Sequence, residues 1–154
     1  MKTVWISGAS TGIGFATAKK FLNNNWKVII SSSNYEKIIL AKKELLLKSE
    51  NKELYSYKCD ISNRNQVTET VNKITKEIGN INLAILNAAA YTPNKEQDFS
   101  IQNFEKLIDV NLKGTLFCIE SLINNMQNKQ NHIAIMASPV GYRGLPTGAA
   151  YGLT

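Results

Sequence analysis

Residues 7–14 read SGASTGIG, between a short apolar run, TVWIS at residues 3–7, and an amphipathic one, GIGFATAKKFLNN at residues 12–24. Gly8, Gly12 and Gly14 form the pattern G-x-x-x-G-x-G where a strand hands over to a helix. Lacking a β-carbon, Gly8 permits the tight turn, Gly12 lets a pyrophosphate reach the backbone, and Gly14 lets the helix settle against a sheet. The helix then turns unpaired N–H groups and the positive end of its dipole toward the phosphates. Ser10 and Thr11 add hydroxyl donors. Glycines also serve ordinary turns, and it is the strand–turn–helix context that makes these a dinucleotide fingerprint.

Working outward, apolar runs and amphipathic stretches keep alternating. KVIISS (residues 27–32), ELYSYKC (53–59), NLAILNA (82–88) and HIAIMAS (132–138) read as further strands. Between them NYEKIILAKKELLLKS and NRNQVTETVNKITKEIG read as helices, and a long helix runs from a Ser100 cap to about Asn128. Ile13, Ala16, Phe21 and Leu22 mark the inner side of the first helix, and Ile38, Ile39, Leu45 and Leu46 that of the second. Ser62 is the expected cap of the third, which Gly79 ends. A β-α unit repeated in this way gives parallel strands, right-handed crossovers and helices on both faces. The predicted fold is therefore α/β: a single Rossmann-type, doubly wound parallel sheet over 1–154, with five strands in the order 3-2-1-4-5. Its ligands belong beyond the carboxyl ends of the strands.

Composition narrows the function classes. Hydrophobic residues make up 44% and charged residues 19% of 154, an ordinary globular balance. The +6 charge comes from lysines scattered over helical stretches, which reads as solvated surface rather than a nucleic-acid patch. Cys59 and Cys118 are far apart in apolar stretches and read as free thiols of a reducing, cytoplasmic compartment. His132, the single histidine, has no partner ligand near it, so no metal site is expected. No apolar run approaches a membrane span.

With these motifs in order, the chain resembles the first part of a short-chain dehydrogenase/reductase, of the kind represented by 3-oxoacyl carrier-protein reductases. SGASTGIG is similar to that family's glycine motif, which assigns Gly8, Ser10, Thr11, Gly12, Ile13 and Gly14 to the cofactor. CDIS is similar to its adenine-contact site, so Asp60 accepts from the adenine amine with the Ile61 backbone beside it. LNAAA stands in place of Asn-Asn-Ala-Gly, with Leu86 and Ala89 departing from the pattern and Asn87 and Ala88 keeping it. The Ala89 methyl falls where the family keeps bare backbone near the cofactor ribose. NLKG and ASPVGYRGLPTGAAYGLT complete the likeness, which covers the whole chain.

The resemblance implies hydride transfer between a nicotinamide and a small carbonyl or alcohol. It makes Tyr151 the proton donor and a cofactor contact, Ser138 the holder of the substrate oxygen, and Asn111 the residue that props open the long helix around a water. The second strand ends in Ser31, Ser32, Ser33 and Asn34, with no carboxylate to take a ribose 2′-hydroxyl. Ser32 and Ser33 can donate to a 2′-phosphate, which favours NADP(H) over NAD(H), although the family's usual arginine there, or a basic residue at Thr11, is absent.

The family also carries a lysine four residues past this tyrosine, whose ammonium would depress the phenol from its free value of about 10. The sequence runs to Thr154. The expectation is an amino-terminal portion of a longer reductase, or a truncated product, with little turnover alone and lacking the last strands. The fifth strand is then an unpaired edge with apolar neighbours. A homo-oligomer is implied for the full-length form, and neither nucleic acid nor membrane is expected as a partner. The alternative is a non-catalytic dinucleotide-binding module acting through subunit association.

Overall fold

In β1 (Thr3–Ser7) every residue is buried, and successive side chains feed two different cores. Val4 and Ile6 join Val28, Ile30 and Ile85 on one face of the sheet, while Trp5 joins Ile29, Ala84 and Leu86 on the other. That alternation is the period of two of a strand buried from both sides. The computed structural model describes residues 1–91, 100–126, 130–144 and 148–154.

Around β1 lie β2 (Lys27–Ser32), β3 (Leu54–Lys58), β4 (Leu83–Leu86) and β5 (His132–Ile135). All pairings are parallel, in the order β3-β2-β1-β4-β5. The expected doubly wound α/β sheet and its strand order are thus both observed. Helices α1 (Gly12–Asn23) and α2 (Tyr35–Leu47) cover the first face through Ala18, Leu22, Ile38, Ala41 and Leu45. Helices α3 (Arg64–Glu77) and α5 (Thr115–Asn125) cover the second through Val67, Val71, Ile74, Cys118 and Leu122.

Four local expectations change. The cap of α3 is Asn63, whose Oδ1 accepts from the Gln66 N–H at 3.1 Å. Ser62 turns instead to the Asp60 carboxylate, a stronger acceptor than a helix amide is a donor. On α1 the buried stripe is Gly14, Ala18 and Leu22, each four residues on from the last, so Ile13 and Ala16 face outward. β5 stops at Ile135, short of Met136–Ser138, because β4 ends at Leu86 and offers no further ladder beyond the Met136 N–H to Leu86 carbonyl bond.

The long helix is the fourth. It is α4 (Ile101–Leu107), then a π-helical segment Ile108–Gly114, then α5, which ends at Asn125; residues 127 and 128 of the expected helix lie outside the described residues.

β5 pairs only with β4 and forms the sheet edge among the described residues. Ile135 and Met136 are about half exposed there, and so are Leu112 and Leu116 on the helix alongside. No described helix is long and apolar enough to cross a membrane.

Cys59 and Cys118 are both buried and unbridged. Burial pushes the Cys118 thiol up to about 12 and raises that of Cys59 as well. A thiol held protonated in the folded chain and released on unfolding stabilises the fold below the unfolded value of 9.0, and that contribution is lost as pH climbs toward the folded value. Urea unfolding should therefore show stability falling by about 1 kcal/mol per pH unit and per thiol above that point. Cys118→Ala should shallow this slope. An unchanged slope in that variant would mean that the thiol is not shielded from water.

Candidate active site

The turn after β1 is shaped by backbone that only glycine adopts readily. Gly8 and Gly12 have φ of 64° and 58°. A β-carbon on Gly8 would stand 2.6 Å from Ala88 Cα, and one on Gly14 would stand 2.6 Å from Asn87 Nδ2 and from the Gly8 carbonyl oxygen. The turn is thus pressed against the end of β4, and polar bonds hold it there. Ser7 Oγ accepts from the Asn87 and Ala88 N–H groups at 3.0 and 3.1 Å. Asn87 Nδ2 donates back to the Ser7 and Gly8 carbonyls at 3.1 and 3.0 Å. Thr11, the N-cap of α1, makes no side-chain cap, so the first-turn amides are left for a ligand.

A cleft of about 690 Å³ opens at the carboxyl ends of β1 to β4. Gly8, Ser10 and Thr11 line one side and Ser32 and Ser33 the next; Asp60, Ile61, Asn87, Ala88 and Ala89 line the floor, and Gln102, Glu105, Lys106 and Asp109 from α4 and the π segment stand among the remaining lining residues. Asp60 Oδ1 accepts from the Ser62 N–H and hydroxyl at 3.0 and 2.7 Å, and Oδ2 has no partner among the described residues. Ile61 is wedged under the π segment, where a β-carbon on Gly114 would come within 2.9 Å of Ile61 Cγ1. Of the remaining cofactor candidates, Gly12 lines a separate, shallower depression, and Ile13 and Gly14 line neither. Ile13 points to solvent and Gly14 is buried beneath the turn.

A second cavity, of about 380 Å³, shares Ala88 and Ala89 with the first and brings together Asn111, Ser138 and Tyr151. Asn111 sits at the centre of the π segment. Its Oδ1 accepts from the Ala90 N–H at 2.7 Å, and its Nδ2 donates to the Ala90 carbonyl and to Thr154 Oγ1 at 3.0 and 2.9 Å. Asn111 thereby ties the segment that follows β4, at Ala90, to Thr154 just past Tyr151. Ser138 Oγ accepts from the Val140 N–H at 3.3 Å, which leaves its own proton to donate. Tyr151 lies on α6 (Ala149–Gly152), and Tyr91 packs edge-on against its ring with centroids 5.0 Å apart. No charged side chain lines this cavity among the described residues. Residues 145–147 of the serine-to-tyrosine loop lie outside the described residues.

The sequence model of the short chain dehydrogenase family matches residues 2–154. The chain belongs to the short-chain dehydrogenases. An oxidoreductase of Staphylococcus saprophyticus is 28% identical over 144 residues, 92% of this chain and 60% of the relative. A 3β-hydroxysteroid dehydrogenase of Mediterraneibacter gnavus is 29% identical over 97% of this chain and 54% of its own length. The crystal structure of NAD⁺-bound xylitol dehydrogenase superposes with a TM-score of 0.91 at 26% identity, covering 99% of this chain and 58% of that one. The chain therefore spans less than two thirds of the length of these relatives.

This short-chain dehydrogenase holds several residues at the site that sequence reasoning passed over. Ser7 reads as the last residue of a strand, and only the parallel neighbour shows that its hydroxyl holds two amides of β4. Tyr91 and Thr154 meet Tyr151 and Asn111 through folding alone, with no spacing that signals it. Thr115 was legible as part of the helix, but not that its hydroxyl donates to the Asn111 carbonyl at 2.7 Å, beside the π segment. No cluster of three potential metal ligands occurs among the described residues.

Proposed function

We propose that residues 1–154 form the coenzyme-binding part of an NAD(P)-dependent oxidoreductase that moves a hydride between a nicotinamide and a small carbonyl or alcohol. The observation that carries this reading is the meeting of the two cavities at Ala88 and Ala89. A dinucleotide lying along the first cleft would present its reactive end to the second, beside Tyr151 and Ser138.

The residues present fit such a coenzyme. The space that a β-carbon on Gly8 or Gly14 would take is filled by the end of β4, so the turn stays thin, and the uncapped first-turn amides of α1 suit a diphosphate. Ser10 and Thr11 add donors, the free Oδ2 of Asp60 accepts from an adenine amine, and Ile61, Asn87, Ala88 and Ala89 form the wall. The pattern Ser32–Ser33 favours NADP(H) over NAD(H). Bound there, the nicotinamide supplies or receives the hydride. Ser138 donates its unused proton to the substrate oxygen, and the Tyr151 hydroxyl gives or takes the proton at that oxygen. Asn111 holds the Tyr151 turn in register through Thr154 and Ala90. Leu112, Leu116, Ile135 and Met136 give the substrate an apolar, uncharged enclosure. The unbridged thiols fit a reducing, cytoplasmic setting.

A second reading rests on one feature. Because no cation lines the Tyr151 cavity among the described residues, residues 1–154 by themselves are expected to bind coenzyme and turn over little, as a dinucleotide-binding module would. Calorimetric titration with NADP⁺ and NAD⁺, followed by absorbance assays with simple ketones and alcohols, tests both. Binding of at least one coenzyme with weak hydride transfer is expected. Indifference to both coenzymes overturns the proposal, and brisk transfer by this chain removes the need for a cation beside Tyr151.

A further inference from the structure

Few bonds hold the Tyr151 side chain itself. Its helix, α6, is four residues long, and the Gly152 N–H donates to the Gly148 carbonyl at 2.8 Å. The Tyr151 carbonyl accepts from the Thr154 N–H at 3.1 Å and from the Thr154 hydroxyl at 2.9 Å. These bonds fix the backbone and leave the ring to turn about its side-chain torsions. Tyr151 Oη makes no hydrogen bond among the described residues.

What meets the ring is Tyr91. The ring centroids are 5.0 Å apart and the planes cross at 72°, the edge-to-face arrangement that ring quadrupoles favour. Tyr91 is held at its base, because Asn111 takes both polar groups of the residue before it: the Ala90 N–H at 2.7 Å and the Ala90 carbonyl at 3.0 Å. The contacts close on themselves. From Asn111 they run to Ala90, along the chain to Tyr91, across the rings to Tyr151, from its carbonyl to the Thr154 hydroxyl and back to Asn111 Nδ2. The ring pair is the link in this circuit that touches the phenol. Tyr91 lines neither cavity and is about half exposed, so burial in a core does not account for an aromatic ring there. Its hydroxyl makes no hydrogen bond among the described residues, which leaves the ring as the part in use.

We propose that Tyr91 is a positioning residue for Tyr151: its ring, anchored through Ala90 to Asn111, restricts the phenol to one orientation in the cavity shared with Ser138. This rests on the reading of Tyr151 as the proton donor and adds the group that keeps it in place. Proton transfer needs donor and acceptor at hydrogen-bond distance, and a ring that wanders spends less of its time there. Tyr91 acts through Tyr151 and needs no contact with substrate or coenzyme.

The test compares the unaltered chain with Tyr91→Leu and Tyr91→Phe, each isotope-labelled in its tyrosine rings, by NMR. The Tyr151 signal is identified by its disappearance in Tyr151→Phe. In the unaltered chain that signal should be displaced by the ring current of Tyr91. Tyr91→Leu should move it to the position of an unpacked tyrosine, and Tyr91→Phe, which keeps the ring, should restore it. Thermal unfolding of Tyr91→Leu should stay close to that of the unaltered chain, since the side chain is half exposed. Single-turnover hydride transfer to a simple ketone should slow by about tenfold in Tyr91→Leu, with coenzyme affinity changed by less than about twofold, and Tyr91→Phe should recover the rate. A signal that moves in Tyr91→Leu and returns in Tyr91→Phe supports the proposal even where transfer is too slow to follow. A Tyr151 signal unmoved by Tyr91→Leu overturns it, and so does a measurable rate that this variant leaves unchanged. Loss of coenzyme affinity in Tyr91→Leu would make Tyr91 part of the binding wall and also overturns it. Binding of neither coenzyme by the unaltered chain overturns the coenzyme reading, and the Tyr151 signal still decides whether Tyr91 orders that ring.

Discussion

Gly8→Val is expected to abolish coenzyme binding and to lower the unfolding free energy by about 3 kcal/mol or more. Two independent costs meet at this position. The φ of 64° is one that an L residue adopts only at about 1–2 kcal/mol, and more for a β-branched side chain. The new β-carbon would also stand 2.6 Å from Ala88 Cα, which is backbone and cannot swing aside. Overpacking of that kind adds about 1–3 kcal/mol. To relieve it, the turn must lift from β4, which breaks the bonds from Asn87 Nδ2 to the Ser7 and Gly8 carbonyls and moves the α1 amides off the cleft. Gly12→Ala is the control. Its φ is similar, at 58°, but its β-carbon would meet nothing within 4 Å, so it should cost only the strain. Urea unfolding and coenzyme titration of the two variants separate the terms. A Gly8→Val chain as stable as Gly12→Ala would mean that the turn does not rest on β4.

Trp5→Ala should be the most damaging single change to the fold, at about 4–5 kcal/mol, a large part of the stability of an ordinary domain. Trp5 is fully buried in the central strand, with Ile29 and Ala84 opposite it on the flanking strands. Truncation opens a cavity between the sheet and the helices α3 and α5, where close-packed neighbours relax only partly. It also strips the Ser31 hydroxyl of the indole N–H that donates to it at 3.0 Å. Because Ser31 is itself buried, that unpaired oxygen adds about 1 kcal/mol or more. Trp5→Phe keeps most of the volume and loses the bond, so it should fall well short of the alanine loss. A loss below about 2 kcal/mol in Trp5→Ala would mean that the second core is looser than its burial implies.

Much of the architecture was legible because burial on both faces writes itself into composition. Runs such as VWI, VII and AIL admit no wet face, and helical stretches between them force parallel pairing. The glycine turn was legible for the same kind of reason: positive φ and close backbone contact exclude other residues, and both occur at Gly8. The errors are small and share one origin. Ser62 and Asn63 are both good caps, and only the position of the Asp60 carboxylate decides which hydroxyl or amide is free for the helix. Ile13 looked like a core residue because the period of 3.6 tolerates a stripe on either side of Gly14.

Sequence alone determined the class of fold, the parallel pairing, the free thiols and the place of the glycine turn, since each follows from local patterning or from the sterics of a single residue. Tertiary structure alone decided that the Tyr151 cavity shares Ala88 and Ala89 with the cleft beside the glycine turn, and that Asn111 lies in a π segment bonded to Ala90 and Thr154. These are contacts between segments distant in the chain. Their residue types are ordinary ones, and only the packing of helices against both faces of the sheet brings them within reach of one another.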